Sequence, residues 1–195
     1  MNFKYSTMRL KIKQFLLVLP LALLGLFLGC EKDDSEADFG EAKIYIPQSL
    51  STGSNLNYLV PKGLDSASRN YIDDLKNDRI HVILGVSRSG KVSNDAFSVN
   101  IITRPDTIGT LITNNVLTNT VLLPTTMYQL SQSVAVADGK SSEQFLLSIT
   151  RSQLKANFTG KKVALAIAIT NPTKYALNPK NDKVIVIVDV NALKL

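Results

Sequence analysis

Four stretches of this chain place apolar residues at every second position, and that period limits what the chain can become. In IHVILGVS, residues 80–87, Ile80, Val82, Leu84 and Val86 share one face. In FSVNI, Phe97, Val99 and Ile101 alternate with Ser98 and Asn100. In VALAIAIT, Val163, Leu165, Ile167 and Ile169 alternate with alanines. In VIVIVDV, residues 184–190, both faces are apolar as far as Asp189. Side chains on a strand point alternately to opposite faces, so this period marks strands. The β-branched content agrees. The last two stretches are expected at the centre of a sheet, because their second faces are also apolar or small.

The shorter signals extend the pattern. KIYIP at 43–47 adds a strand. In SVAVADGKSSEQFLLSIT, two alternating runs flank Asp138-Gly139, which predicts a hairpin. Pro61, Pro105, Pro124, Pro172 and Pro179 all fall outside the strand cores. About seven short strands without a βαβ alternation predict an all-β fold, an antiparallel sandwich of the immunoglobulin kind. Residues 47–79 read as a long insertion, mostly irregular or extended, with a short helix after Asp65 or Ser66 as the alternative.

The N-terminus carries a different message. Lys4, Arg9, Lys11 and Lys13 precede an almost wholly apolar run at 14–29. A basic segment, an apolar segment and a small residue before a break describe a secretory signal peptide. The run is shorter than the ~20 residues a transmembrane helix needs, and Pro20 interrupts it. Phe27-Leu28-Gly29-Cys30 resembles a bacterial lipobox, with the small Gly29 in place and Phe27 and Leu28 off the usual pattern. The resemblance implies that Cys30 becomes the mature N-terminus and carries a lipid. Cys30 is the only cysteine, so the exported domain stands without disulfides. Residues 30–42 then read as a flexible acidic tether. Lys32-Asp33-Asp34 resembles the export signal that sends Bacteroidota lipoproteins to the outer face of the outer membrane.

The domain reading is thus a signal at 1–29, a tether at 30–42 and one sandwich at 43–195. The charge balance shifts with it. The chain has 22 basic and 16 acidic residues, but the first 29 residues hold four of the basic ones and no acid. What remains is 18 against 16, which gives no support to nucleic-acid binding.

Chemistry-bearing motifs are few. Gly85-Val-Ser-Arg-Ser-Gly90-Lys91 imitates the start of a phosphate-binding loop. Val92 stands where the magnesium-binding hydroxyl belongs, and a turn and strand follow instead of a helix. His81 is the only histidine, and no second cysteine can join it, so no zinc site and no other metal or cofactor is expected. No serine sits in a G-x-S-x-G elbow, and Asp73 and Asp74 are adjacent rather than paired across a cleft. No catalytic residue is assigned, and the expectation is a protein that is not an enzyme. Sugars stack on aromatic planes. The chain has no Trp, so Tyr58, Tyr71 and Tyr175 are the candidate stacking residues. Asp65-Ser66-Ala67 and Asp106-Thr107-Ile108 resemble the Bacteroidota O-glycosylation sequence, making Ser66 and Thr107 candidate modification sites.

Several pieces together resemble a known family. They are Leu123-Pro124 followed by Tyr128, the turn Ala137-Asp138-Gly139-Lys140-Ser141-Ser142, and Arg88-Ser89-Gly90. The pattern resembles a Bacteroidota domain of unknown function. That domain forms the N-terminal part of certain surface lipoproteins and of chitinase-like endo-N-acetylglucosaminidases of glycan-utilisation systems. The resemblance implies an immunoglobulin-like sandwich and a role near glycan capture. It carries over no catalytic residue, because in those enzymes the chemistry belongs to the following domain. The expected function is a non-enzymatic, lipid-anchored accessory or glycan-binding module on the outer membrane. Its expected partners are that membrane, a glycan ligand and proteins of a glycan-import complex. The alternative is a structural sandwich, an adhesin or pilus-like subunit or a scaffold pairing through an edge strand.

Overall fold

The computed structural model describes residues 41–50, 55–63, 68–90 and 95–195. Cys30, Lys32, Asp33, Asp34 and Ser66 lie outside the described residues. In chain order the elements are β1 (Lys43–Tyr45), α1 (Pro47–Leu50), β2 (Asn57–Val60), β3 (Tyr71–Asp74), β4 (Arg79–Arg88) and β5 (Phe97–Thr103). Next come α2 (Pro105–Thr113), β6 (Thr120–Leu122), a short 3₁₀ turn (Thr125–Met127), β7 (Tyr128–Leu130) and β8 (Ser133–Val136). The chain finishes with β9 (Ser142–Thr150), α3 (Arg151–Phe158), β10 (Lys162–Thr170), β11 (Ala176–Leu177) and β12 (Lys183–Asp189).

These strands build a β-sandwich. Sheet I has the order β11-β1-β4-β9-β7, with β3 also paired to β4. Sheet II has the order β2-β12-β10-β5-β8, with β6 also paired to β10. Between them lies one apolar core. Ile80, Val82, Leu84 and Val86 of β4 and Leu147 and Ile149 of β9 reach it from sheet I, all fully buried. Val99 of β5, Ile167 and Ile169 of β10, and Val184, Val186 and Val188 of β12 meet them from sheet II. The alternating faces predicted for 80–87, 97–101, 163–170 and 184–190 are the faces that close on each other.

The second faces of β10 and β12 are covered as well. Ala164, Ala166, Ile185 and Ile187 form a smaller cluster with Ile108 of α2 and Leu117. The alanines keep that face of the sheet low, which lets the helix lie close. Pro105 starts α2 at a position where a missing N–H costs nothing.

Three expectations are corrected. The described residues form twelve strands where about seven were expected, because strands of two to four residues carry too little period to be seen. It is not wholly antiparallel: β1–β11, β6–β10 and β2–β12 are parallel pairs. Finally, β8 and β9 are not a hairpin. β8 pairs with β5 in sheet II, while β9 pairs with β4 and β7 in sheet I. The Asp138-Gly139 turn, with Gly139 at φ 80, carries the chain from one layer to the other. Both layers need an alternating inward face, so alternation around a turn does not tell a hairpin from a crossing. Within residues 47–79, β2 joins sheet II and β3 joins sheet I.

Among the described residues no helix is long and apolar enough to cross a membrane. Residues 40–195 form one compact unit by themselves.

Candidate functional site

The chain crosses between the layers twice in quick succession, and a cleft opens there. β6 lies in sheet II beside β10. Leu123 then donates its N–H to the Ala164 carbonyl at 2.9 Å, and the buried Leu123 and Met127 anchor the next turn. Pro124, extended at φ -63 and ψ 141, directs the chain across to sheet I, where β7 pairs with β9. Ser131 and Gln132 lead back to sheet II, and the Ile101 N–H donates to the Gln132 carbonyl at 2.8 Å. The open cleft beside this crossing measures about 860 Å³ and is lined by residues 100–103 of β5 and by 128–133.

Its chemistry is uniform. The residues around it are amide-bearing (Asn100, Gln129, Gln132) and hydroxyl-bearing (Thr103, Ser131, Ser133), with one half-buried aromatic, Tyr128, which also packs against the core. Among the described residues no charged one lines it. Each amide supplies donors and an acceptor together, and each hydroxyl can act as either. Such a lining matches a neutral ligand rich in hydroxyls, with Tyr128, Ile102 and Leu130 giving apolar contact.

The three tyrosines singled out from sequence do not form a common surface. Tyr58 is only 8% exposed, part of the core, and its hydroxyl donates to the Ile83 carbonyl at 3.4 Å. That burial raises its pKa above 10.0, with the Asn70 hydrogen bond pulling the other way. Tyr71 is half-buried on β3, with the Arg69 guanidinium 5.9 Å from its ring centre. Tyr175 is held in a buried cluster. Its ring stands edge-on to Phe97 at 5.9 Å, and the Arg88 guanidinium lies 4.9 Å from its centre. Arg88 also donates to the Tyr175 hydroxyl at 2.9 Å and to the Asp95 carbonyl at 3.0 Å. Tyr71 sits opposite Val82 on β4, and Tyr175 meets Arg88 six residues further along. At about 3.3 Å per residue that is roughly 20 Å. Thr107 is exposed in the first turn of α2.

The aromatic residue the cleft does use is Tyr128. A signal for it was present in TMYQLSQS, where amides and hydroxyls crowd around one ring.

On the outer face of sheet I a serine, a histidine and an aspartate fall into line. His81 Nδ1 is 2.7 Å from Ser148 Oγ, and His81 Nε2 is 3.5 Å from Asp74 Oδ2. Asn77 donates to Asp74 from its side chain at 2.7 Å and from its backbone at 3.1 Å. These hydrogen bonds, the Asn77 side chain foremost, hold the Asp74 carboxyl below its ordinary 3.8. The line resembles a nucleophilic triad, but its setting differs. Ser148 sits inside a strand paired on both sides, with β4 and with β7. The backbone N–H groups around it are used by the two ladders, leaving none to stabilise an oxyanion. The line therefore reads as a cross-strand polar network. No group of three or more His, Cys, Asp or Glu among the described residues could hold a metal ion.

Residues 43–176 match a family model described as a "-like, N-terminal domain". The chain belongs to that N-terminal-domain family. Among solved structures it is similar to a candidate carbohydrate-binding protein of Bacteroides ovatus, at 13% identity and TM-score 0.51, covering 75% of this chain and 36% of that one. It is also similar to a protein of unknown function from Bacteroides ovatus, at 17% identity and TM-score 0.53, covering 75% of this chain and 46% of that one. At these identities the likeness is one of fold, and the chain spans less than half the length of either protein. No curated protein matches the chain.

Proposed function

We propose that this family member is a non-enzymatic, glycan-binding accessory module, held by a lipid on Cys30 at the outer face of an outer membrane. The observation that carries the binding part is the uncharged amide-and-hydroxyl lining of the cleft around Tyr128, Gln129 and Gln132. The similarity to a candidate carbohydrate-binding protein supports it. So does the sequence resemblance to the N-terminal domain of glycan-utilisation lipoproteins and chitinase-like enzymes. The lipobox-like Phe27-Leu28-Gly29-Cys30 and the following Lys32-Asp33-Asp34 support the anchoring part. A glycan-import complex is the natural partner for a module of this kind.

Strand addition, as a scaffold or pilus subunit would use, has less to work with. The edge strands β11, β7, β3, β2, β8 and β6 are only two to four residues long. Short edges offer a poor template for a partner strand.

The test is a glycan array probed with residues 31–195, followed by calorimetry on each hit. Reproducible binding of neutral glycans, abolished by Gln132→Ala, supports the reading. Silence across a broad array overturns it. Anchoring is tested separately: Cys30→Ala should leave a protein that lacks the lipid mass and leaves the membrane fraction.

A further inference from the structure

The cleft does not end at its own rim. Strand register places Ile72 of β3 opposite His81 of β4, His81 opposite Ser148 of β9, and Ser148 opposite Gln129 of β7. Directly opposed residues project from the same face of a sheet. These four therefore form one row across the outer face of sheet I, and its last member, Gln129, also lines the cleft. With strands about 4.8 Å apart, the row runs roughly 14 Å from β3 to β7.

The row has two kinds of contact. Its polar members are already fixed in place. His81 is bonded to Ser148 and faces Asp74, and Asp74 is held in turn by Asn77. Beside them stand exposed apolar side chains: Ile72 is 49% exposed and Leu146, opposite Ile83, is 37% exposed. A pyranose ring presents hydroxyls at its edge and C–H groups on its face, so alternating polar and apolar contacts suit it. Groups held in position before binding lose little freedom when a ligand arrives.

We propose that this row is a second set of sugar contacts continuous with the cleft, so that the ligand is a neutral glycan chain lying across the strands of sheet I. The proposal rests on the reading of the cleft as a glycan site. A lone monosaccharide would fill the cleft and leave the row bare. A chain several sugars long would pass Gln129 and meet Ser148, His81 and Ile72 in turn.

The experiment is calorimetry on residues 31–195 with N-acetylchito-, xylo- and manno-oligosaccharides of one to six sugars. In the series that binds, affinity should rise at least tenfold from two sugars to six. The double variant His81→Ala/Ser148→Ala should erase that gain while two-sugar affinity stays within twofold. Ile72→Ser, at an exposed position, should erase part of the gain and guards against a folding defect in the double variant. Gln132→Ala should weaken short and long sugars alike. Equal affinity for two and six sugars, or a length gain untouched by both row variants, overturns the row and leaves the cleft reading standing. Binding of short sugars that survives Gln132→Ala overturns the cleft reading itself, and the row with it.

Discussion

Residues 162–170 and residues 123–133 differ little in length, yet they were built for opposite tasks. β10 has seven consecutive buried residues, Val163 to Ile169, and pairs with neighbours along both edges. The crossing segment buries only Leu123 and Met127 and presents amides and hydroxyls between them and β8. In β10 every side chain is spoken for by packing. In the crossing, two anchors fix the path, Tyr128 and Leu130 pack partly against the core, and the amide and hydroxyl residues from Gln129 to Ser133 stand exposed. The comparison teaches that sequence change in the first region should register in stability and in the second in binding.

The largest effects should come from the first region. Ile167→Ala empties a fully buried site and should cost about 2–5 kcal/mol, as should Leu147→Ala in β9 on the facing side of the same core. Urea unfolding would show this as a lower midpoint at unchanged slope. A loss below about 1 kcal/mol would mean that the layers are packed more loosely than described. Arg88 comes next. It is 5% exposed and donates to Tyr175 and to the Asp95 carbonyl, tying separate loops at one end of the sandwich. Arg88→Met keeps much of the volume but removes the charge-assisted hydrogen bonds to Asp95, Tyr175 and Lys140, so a cost of about 3 kcal/mol is expected. Tyr175→Phe, which removes only one hydroxyl, should cost about 1 kcal/mol in the same assay.

The second region should behave in the reverse way. Gln132→Ala is expected to move stability by no more than about 0.5 kcal/mol, since the side chain is exposed, and to weaken glycan binding at least tenfold. Tyr175→Ala sharpens the contrast. It should lower the melting temperature but leave affinity unchanged once the protein is folded, because its ring serves the Arg88 cluster. Loss of affinity in folded Tyr175→Ala would return the tyrosine to the candidate ligand surface and weaken the case for the cleft.

The contrast also explains what could be read from the sequence. Long alternating runs announced β4, β5, β10 and β12 and their buried faces, because packing on one side of a strand enforces a period of two. α2 and α3, nine and eight residues long, were missed. Each carries only a short stripe, Ile108, Leu111 and Ile112 in α2 and Leu154 with Phe158 in α3, too brief to stand out between the strands. The Asp138-Gly139 pair specifies a turn but not the strands it joins, since the choice of partner strand lies in distant residues. Residue type alone does not tell a sugar-stacking tyrosine from one that packs in the core. Tyr58 alternates correctly for the core face of β2, which only its parallel pairing with β12 reveals. The Ser148–His81–Asp74 line has no local signature, because its members come from three strands brought together by register.

That polar line supports the smallest and most specific prediction. Asn77 and His81 face Asp74, and the folded carboxyl is held below 3.8, mainly by the Asn77 side chain. A carboxyl with a depressed folded pKa stabilises the fold fully above its unfolded pKa, and the contribution fades as pH falls through the folded value. Wild type should therefore lose an increment of stability on acidification that Asp74→Asn lacks. Melting temperatures of the two proteins should differ most near neutrality and converge between roughly pH 5 and pH 2. Other carboxylates, Glu143 beside Lys140 among them, titrate in both proteins and cancel in the difference. A difference that stays constant over that range would mean that Asn77 does not hold Asp74 in solution, and the preordered edge of the proposed sugar row would lose its support.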